Sequence, residues 1–197
     1  MRVLFATGNE GKVATLRHYL DQYGIELEQH ELPLVEPQDD SVEEVAKDKV
    51  RQAYAMVRGP VIAQDSGFCI KVLKDFPGPY TKYVLDTLGA DGLLKLMAGE
   101  NDRTVKFMNA VAYADAEGRV TTFTDDISGQ MTIQPTQVHG KAWSELWGIF
   151  IPEGRSKTLG EMDEQELKSY WDERQASGNS AFAKLANWLG ENVSART

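Results

Sequence analysis

The stretch AQDSGFCIKV, taken up again by FPGPYTKYV, runs from Ala63 to Val84 and constrains the fold more than any other part of the chain. The apolar run Val61-Ile62-Ala63 has the length and flanking turns of a buried strand, which places Asp65 where that strand stops. Ser66-Gly67 reads as turn chemistry. Beyond it Phe68, Ile70 and Val72 alternate with Cys69, Lys71 and Leu73 as a second extended segment. A Pro-Gly-Pro loop, Pro77 to Pro79, is locally stiff and opens into a helix with Lys82 near its first turn. One supersecondary unit thus holds an acid and a base. Asp-Ser-Gly is also ordinary turn material, and a lysine in a first helical turn is commonly just solvated, so the rest of the chain has to separate these readings.

Before this stretch, Arg2 to Ala6 reads as a strand, TGNEGK as a tight polar turn, and Val13 to Tyr23 as a helix with Val13, Leu16, Tyr19 and Leu20 on one face. A strand, turn and helix in that order aim backbone N–H groups and the helix dipole at one point, which suits phosphate, and Thr7, Asn9 and Lys12 add donors. The motif is not a P-loop, because its glycine spacing and its Lys-Ser/Thr ending are absent. Ile25 to Leu32 follows as an antiparallel or edge strand. Ser41 and Glu44 have the spacing of a capping box, opening a helix with Val42, Val45, Ala46, Val50, Ala53, Tyr54 and Val57 apolar. Lys49 lies on or beside that apolar stripe, so its ammonium must snorkel or point at anions.

After the central stretch, Ala90 to Ala98 reads as a short helix. Thr104 to Ala114 and Arg119 to Asp125 form a hairpin around Asp115-Ala116-Glu117-Gly118, with Ser128 to Ile133 a further strand. Gly148 to Pro152 is a short strand, and Glu161 to Arg174 and Ala181 to Leu189 are helical. The expectation is one α/β domain over residues 1–197, whose middle hairpin forms a lobe.

Composition narrows the function. A net charge of −9 over 197 residues argues against a nucleic-acid backbone as partner, since that needs a sustained basic face. A small anionic ligand would need lysines gathered locally against the protein's own field. A single cysteine, Cys69, excludes an internal disulfide and reads as a buried core thiol, and three scattered histidines, His18, His30 and His139, disfavour a histidine-built metal centre. No apolar run approaches the ~20 residues of a membrane span, and the N-terminus lacks a signal-peptide pattern, so a soluble cytoplasmic protein is expected.

Taken together, ATGNEGK, the glutamate and lysine of EEVAKDK, DSG, FPGPYTKYV and IFIPEGRSKTLGEM resemble the motifs of the inosine triphosphate pyrophosphatase family, in its order and spacing over nearly the whole chain. That resemblance implies an α/β fold with a long central mixed β-sheet, flanking helices and two lobes around a nucleotide cleft. It also implies hydrolysis of non-canonical purine nucleoside triphosphates to monophosphate and pyrophosphate, Mg²⁺ dependence and a homodimer. Carried over residue by residue, it assigns Thr7, Gly8, Asn9 and Lys12 to the triphosphate loop, and Ser66, Gly67, Lys82, Lys168 and Arg174 to substrate binding. Glu44 and Asp65 would hold the metal, Asp65 would activate water, and Lys49 would serve catalysis.

The chain also departs from the family's pattern. Gln64 stands where a second acidic residue usually precedes DSG, which removes a charge from the expected metal site. Ser144-Glu145-Leu146-Trp147-Gly148 replaces the loop that embraces the base, and Glu173 replaces a histidine. Trp143 or Trp147 could restore stacking, Glu145 or Glu173 could accept from the base, and inosine and xanthosine triphosphates would then be the poorer substrates. Both tryptophans as core residues is the even alternative. A nucleotide-binding sensor with little turnover is the alternative for the whole chain.

Overall fold

The computed structural model describes residues 1–138, 142 and 144–194. The elements in chain order are β1 (Arg2–Ala6), α1 (Glu10–Asp21), β2 (Glu26–His30), α2 (Val42–Val57), β3 (Val61–Ile70), β4 (Phe76–Gly78), α3 (Thr81–Thr87), α4 (Gly89–Leu96), β5 (Thr104–Ala114), β6 (Val120–Met131), β7 (Phe150–Pro152), α5 (Glu164–Ala176) and α6 (Ala181–Ser194). The strands form a mixed sheet in the order β2-β1-β3-β5-β6-β7, with β4 paired to β3. β1 runs parallel to both β2 and β3, whereas β4 on β3 and β7 on β6 are antiparallel.

The chain divides into two compact units. One comprises residues 1–65, 109–125 and 174–197, the other 66–108 and 126–173, and β3, β5 and β6 contribute residues to both. Each unit has its own apolar core. In the first, the α1 stripe Val13, Leu16, Tyr19 and Leu20 packs with Phe182, Leu185 and Leu189 of α6 against Val3, Phe5, Ile62 and Val111 of the sheet. In the second, Phe68, Ile70, Leu93, Met97, Leu146, Ile149 and Phe150 are buried together, and the rings of Phe68, Phe107 and Phe150 contact one another at centroid distances of 4.8 to 6.2 Å.

Four expectations are corrected. Asp65-Ser66-Gly67 is not a turn: β3 continues through it, and nine of its ten residues are buried, so the polar letters mark a site on a central strand rather than a break. Val72 and Leu73 belong to a short 3-10 turn, Lys71–Leu73, and not to the strand. β6 is one strand of 12 residues where two were expected. β2 does lie at a sheet edge, but it is parallel to β1, because the connection between them is the helix α1 and a helical crossover returns the chain in the same direction. Among the described residues, no helix is long and apolar enough to cross a membrane.

Candidate active site

The first unit gathers four charged side chains beside β3. Asp65 leaves β3 on the face covered by α2, and Lys49 of α2 reaches it with its ammonium 3.3 Å from Asp65 Oδ1. The same ammonium donates to Glu36 Oε1 at 2.7 Å. The side chains of Lys49 and Asp65 are only 12% and 11% exposed, so this lysine, set against the core stripe, does turn its charge onto anions. Lys12, in the first turn of α1, completes the group: it feels the charges of Lys49, Asp65 and Glu36.

The electrostatics follow from burial. Desolvation pushes the Asp65 carboxyl up to about 6, against the opposing pull of Lys49. Desolvation, and then the charge of Lys49, push the Lys12 ammonium down to about 8. The charge of Lys49 thus adds to the cost of holding the Lys12 ammonium in this partly dry place. Asp65 Oδ2 is buried and has no hydrogen-bond partner.

The turn before α1 is shaped by its own side chains. Thr7 Oγ1 accepts from the Asn9 N–H at 3.1 Å, and Asn9, the N-cap, accepts from the Lys12 N–H at 3.1 Å. The Glu10 and Gly11 N–H groups have no intrahelical acceptor by helix geometry, so they and the helix dipole face out of the loop that carries Gly8.

Glu44 takes a different place from the one its spacing implies. Ser41 caps α2 by accepting the Glu44 N–H at 3.3 Å, but the box is not reciprocal, because the Ser41 N–H donates to Asp39. The Glu44 carboxylate is 52% exposed and pairs with Lys47 at 2.8 Å. The carboxylate that stands with Asp65 around Lys49 is Glu36, which sequence reasoning missed. Glu36 lies in a loop without periodicity, and only the tertiary fold brings it onto α2.

Gln64 corrects another expectation. Successive strand residues point to opposite faces, so Gln64 leaves β3 on the side away from Asp65, Lys49 and Glu36, and its replacement of an acid takes no charge from that group.

Arg174 also belongs to the first unit, where its guanidinium pairs with Asp125. Asp125 accepts the Ala181 N–H at the start of α6 at 3.0 Å as well.

The remaining candidates lie in the second unit. Ser66 is half-buried, and Gly67 is required by packing: a Cβ there would meet the Gly78 carbonyl oxygen at 2.6 Å. Lys82, in the first turn of α3, pairs with Asp86 at 2.7 Å, and Lys168 pairs with Asp172 at 2.6 Å, both largely exposed. Trp147 is 6% exposed in the core of this unit, its ring 6.3 Å from that of Trp171. Glu173 is held by Arg155 and accepts from Ser169. Trp143 and His139 lie outside the described residues. Cys69 is buried as expected, and burial pushes its thiol up to about 11.

Among the described residues, no three His, Cys, Asp or Glu side chains are gathered as a metal cage. Glu36 and Asp65 nevertheless offer hard carboxylate oxygens, one of them unpartnered, and fit a hard divalent cation that takes the rest of its shell from substrate and water.

With this geometry in place, comparison with known proteins is direct. The model of the Ham1 family matches residues 3–188. The dITP/XTP pyrophosphatase of Methanopyrus kandleri is 40% identical over 196 residues, covering 100% of both chains, and that of Thermococcus kodakarensis is 37% identical over 193 residues, covering 98% of this chain and 100% of the relative. The crystal structure of the nucleoside-triphosphatase / dITP/XTP pyrophosphatase of Mycobacterium abscessus superposes with a TM-score of 0.72 at 25% identity, covering 90% of this chain and 97% of that one. The HAM1 protein of Coxiella burnetii shares the fold, with a TM-score of 0.76 at 20% identity over 98% of each chain. The match over nearly the whole length, the α/β fold and the motif order agree: the chain belongs to the Ham1 family, the inosine triphosphate pyrophosphatase-like proteins.

Proposed function

We propose that this chain hydrolyses non-canonical purine nucleoside triphosphates, of the dITP and XTP kind named for its relatives, to the monophosphate and pyrophosphate, clearing them from the nucleotide pool. The observation that carries this reading is the group of Lys12, Lys49, Asp65 and the more exposed Glu36, with the Lys12 ammonium pushed down and a buried carboxylate oxygen of Asp65 unpartnered. A triphosphate brings anionic oxygens that Lys12 and Lys49 can pair with. It would be received by the Thr7–Lys12 turn, whose helix N-terminus favours anions.

In the reaction, water adds to the α-phosphorus, the bond from that phosphorus to the bridging oxygen breaks, and pyrophosphate leaves with that oxygen. Asp65, raised toward neutral pH by burial, takes the proton of the attacking water. Lys12 and Lys49 neutralise charge on the phosphate oxygens as the bond breaks, so catalysis is mainly electrostatic and positional. Glu36 and Asp65 would hold a divalent cation such as Mg²⁺, which when bound adds positive charge at the same oxygens. Glu44, exposed and paired with Lys47, is left out of this set. Ser66 and Gly67, next on the strand, the exposed Lys82 and Lys168, and the largely buried Arg174 are kept as substrate contacts on the resemblance.

The base preference of the relatives is carried over because two of the residues that argued for a changed one are engaged: Trp147 packs in a core and Glu173 is held by Arg155. We take the two units as lobes of one catalytic domain and the assembly as a homodimer, supported by exposed aromatic side chains around α3, among them Phe76, Tyr80 and Tyr83. Light scattering should give twice 22.0 kDa; a particle of 22.0 kDa at micromolar concentration refutes the dimer.

The test is product analysis across inosine, xanthosine, guanosine, adenosine and pyrimidine triphosphates, with and without Mg²⁺. Monophosphate and pyrophosphate in equal amounts are expected, fastest from deoxyinosine and xanthosine triphosphates. Orthophosphate with diphosphate, or no turnover of any triphosphate, refutes the proposal.

A further inference from the structure

Gln64 sits one residue before Asp65, yet the reaction described above does not use it. Its side chain shares a face of the sheet with Ile62, which packs with Val111 and Tyr113 against α1 and α6. The polar end of that face is occupied by Asn109, two residues before Val111 on β5. Asn109 bonds Asp125 of β6, and Asp125 in turn holds Arg174 and the first N–H of α6. Along β3, the pairing with β1 reaches Ile62, so Gln64 lies just past the register at which β1 gives way to the Thr7–Lys12 turn.

The residue is 7% exposed, and its Oε1 is buried with no hydrogen-bond partner. A buried amide oxygen without a donor is costly, and a methionine of similar length would carry no such cost. Among the described residues nothing pairs with this oxygen, which directs the search for its partner to what binds.

The ligand that would satisfy it is restricted by chemistry. Ionised phosphate oxygens only accept hydrogen bonds, so a polyphosphate in the adjacent turn leaves Oε1 unpaired. The neutral donors of a nucleoside triphosphate are its sugar hydroxyls and groups on its base: the protonated ring nitrogen of a 6-oxopurine, or the amino groups of adenine and guanine, of which adenine's lies on C6, displaced from that ring position.

We infer that Gln64 is a specificity-determining contact: its amide oxygen accepts a hydrogen bond from a neutral donor on the nucleoside part of the substrate, a sugar hydroxyl or the ring N–H of a 6-oxopurine. This rests on the proposed reading of the site as a nucleoside triphosphatase and adds the residue that reads the nucleoside. A substrate without the donor leaves the buried oxygen unpaired, and discrimination arises from that difference.

The experiment compares wild type with Gln64→Met and Gln64→Glu. Thermal unfolding is read for each, with kcat/KM for inosine, deoxyinosine, adenosine and deoxyadenosine triphosphates. Gln64→Met is expected to melt no lower than wild type and to lose about tenfold in one ratio, the size of one neutral hydrogen bond. A fall in the inosine-to-adenosine ratio identifies the ring N–H, and a fall in the ribo-to-deoxy ratio identifies the hydroxyl. Gln64→Glu keeps an acceptor at the same reach and should hold both ratios. If both ratios stay within about twofold of wild type in Gln64→Met, or if Gln64→Glu loses them as fully, the inference is overturned whatever the melting temperature. If wild type hydrolyses no triphosphate, the proposed function fails by itself. The same inosine-to-adenosine and ribo-to-deoxy ratios, measured by calorimetry as affinities for the monophosphates, then still decide the role of Gln64.

Discussion

Both units hold lysines paired with carboxylates, and the pairs around β3 in the first unit contrast with the surface pairs of the second. In the second unit, Lys82 with Asp86 and Lys168 with Asp172 are i,i+4 pairs on helix surfaces, and Lys157 with Glu166 is at least 40% exposed on both sides. Such pairs are screened by water and contribute ~0–1 kcal/mol, so they ask nothing of a ligand. In the first unit, Lys49 and Asp65 are nearly dry, Lys12 is pushed down and Asp65 up, and a carboxylate oxygen has no partner. The same residue types are solvated ornament in one place and an unmet electrostatic demand in the other. Burial, rather than the inventory of charges, marks the site.

The sharpest way to break this comparison is Asp65→Asn, which keeps shape and removes both the base and a cation ligand. Turnover should fall by roughly 10³-fold or more with the fold retained, as read by steady-state kinetics and circular dichroism. Near-normal turnover would move the chemistry elsewhere.

Lys49→Ala comes next. Turnover should fall by about 10²- to 10³-fold, as for loss of one preorganised charge at a developing oxyanion. Stability at pH 8 should fall by about 3 kcal/mol, because a buried pair broken on one side leaves its partner uncompensated. The pH dependence has a definite sign. The Lys49–Asp65 attraction requires ionised Asp65, so it is present above the Asp65 pKa of about 6 and is lost as pH falls below it. Urea melts should therefore show wild type and variant far apart at pH 8 and closer at pH 5. An equal gap at both would mean that the exposed Glu36 is the partner that matters.

Arg174→Met tests the other dry pair of the same unit. Asp125 would keep its helix N–H but lose its counter-charge, and the melting temperature should drop by roughly 6–12 °C. A large rise in KM at unchanged stability would instead make Arg174 primarily a substrate contact.

Lys168→Ala has the smallest expected effect. Its exposed pair with Asp172 should contribute at most ~0.5 kcal/mol. If the side chain leaves that pair for a phosphate, KM for the triphosphate rises severalfold at constant melting temperature, and an unchanged KM removes Lys168 from the site.

Local pattern was enough for the elements whose faces differ in polarity. The α1 stripe Val13, Leu16, Tyr19 and Leu20 and the start of α2 at Ser41 are written in short-range periodicity and capping, and Lys49 announced itself by falling on an apolar stripe. Contacts between residues far apart were not written there. Asp-Ser-Gly looked like a turn because a strand covered on both faces normally reads as a continuous apolar run, and what covers β3 is set by other elements. Glu36 carries no periodic signal, and its value comes from the 2.7 Å approach of an ammonium 13 residues away. Gln64 looked like a lost metal ligand until the alternation of an unbroken strand put it on the opposite face. Sequence by itself determined which residues could carry phosphate chemistry, because residue type sets charge and hydrogen-bonding capacity. The tertiary structure alone decided which of them are dry and which face they share, because desolvation is a property of the surroundings and not of the residue.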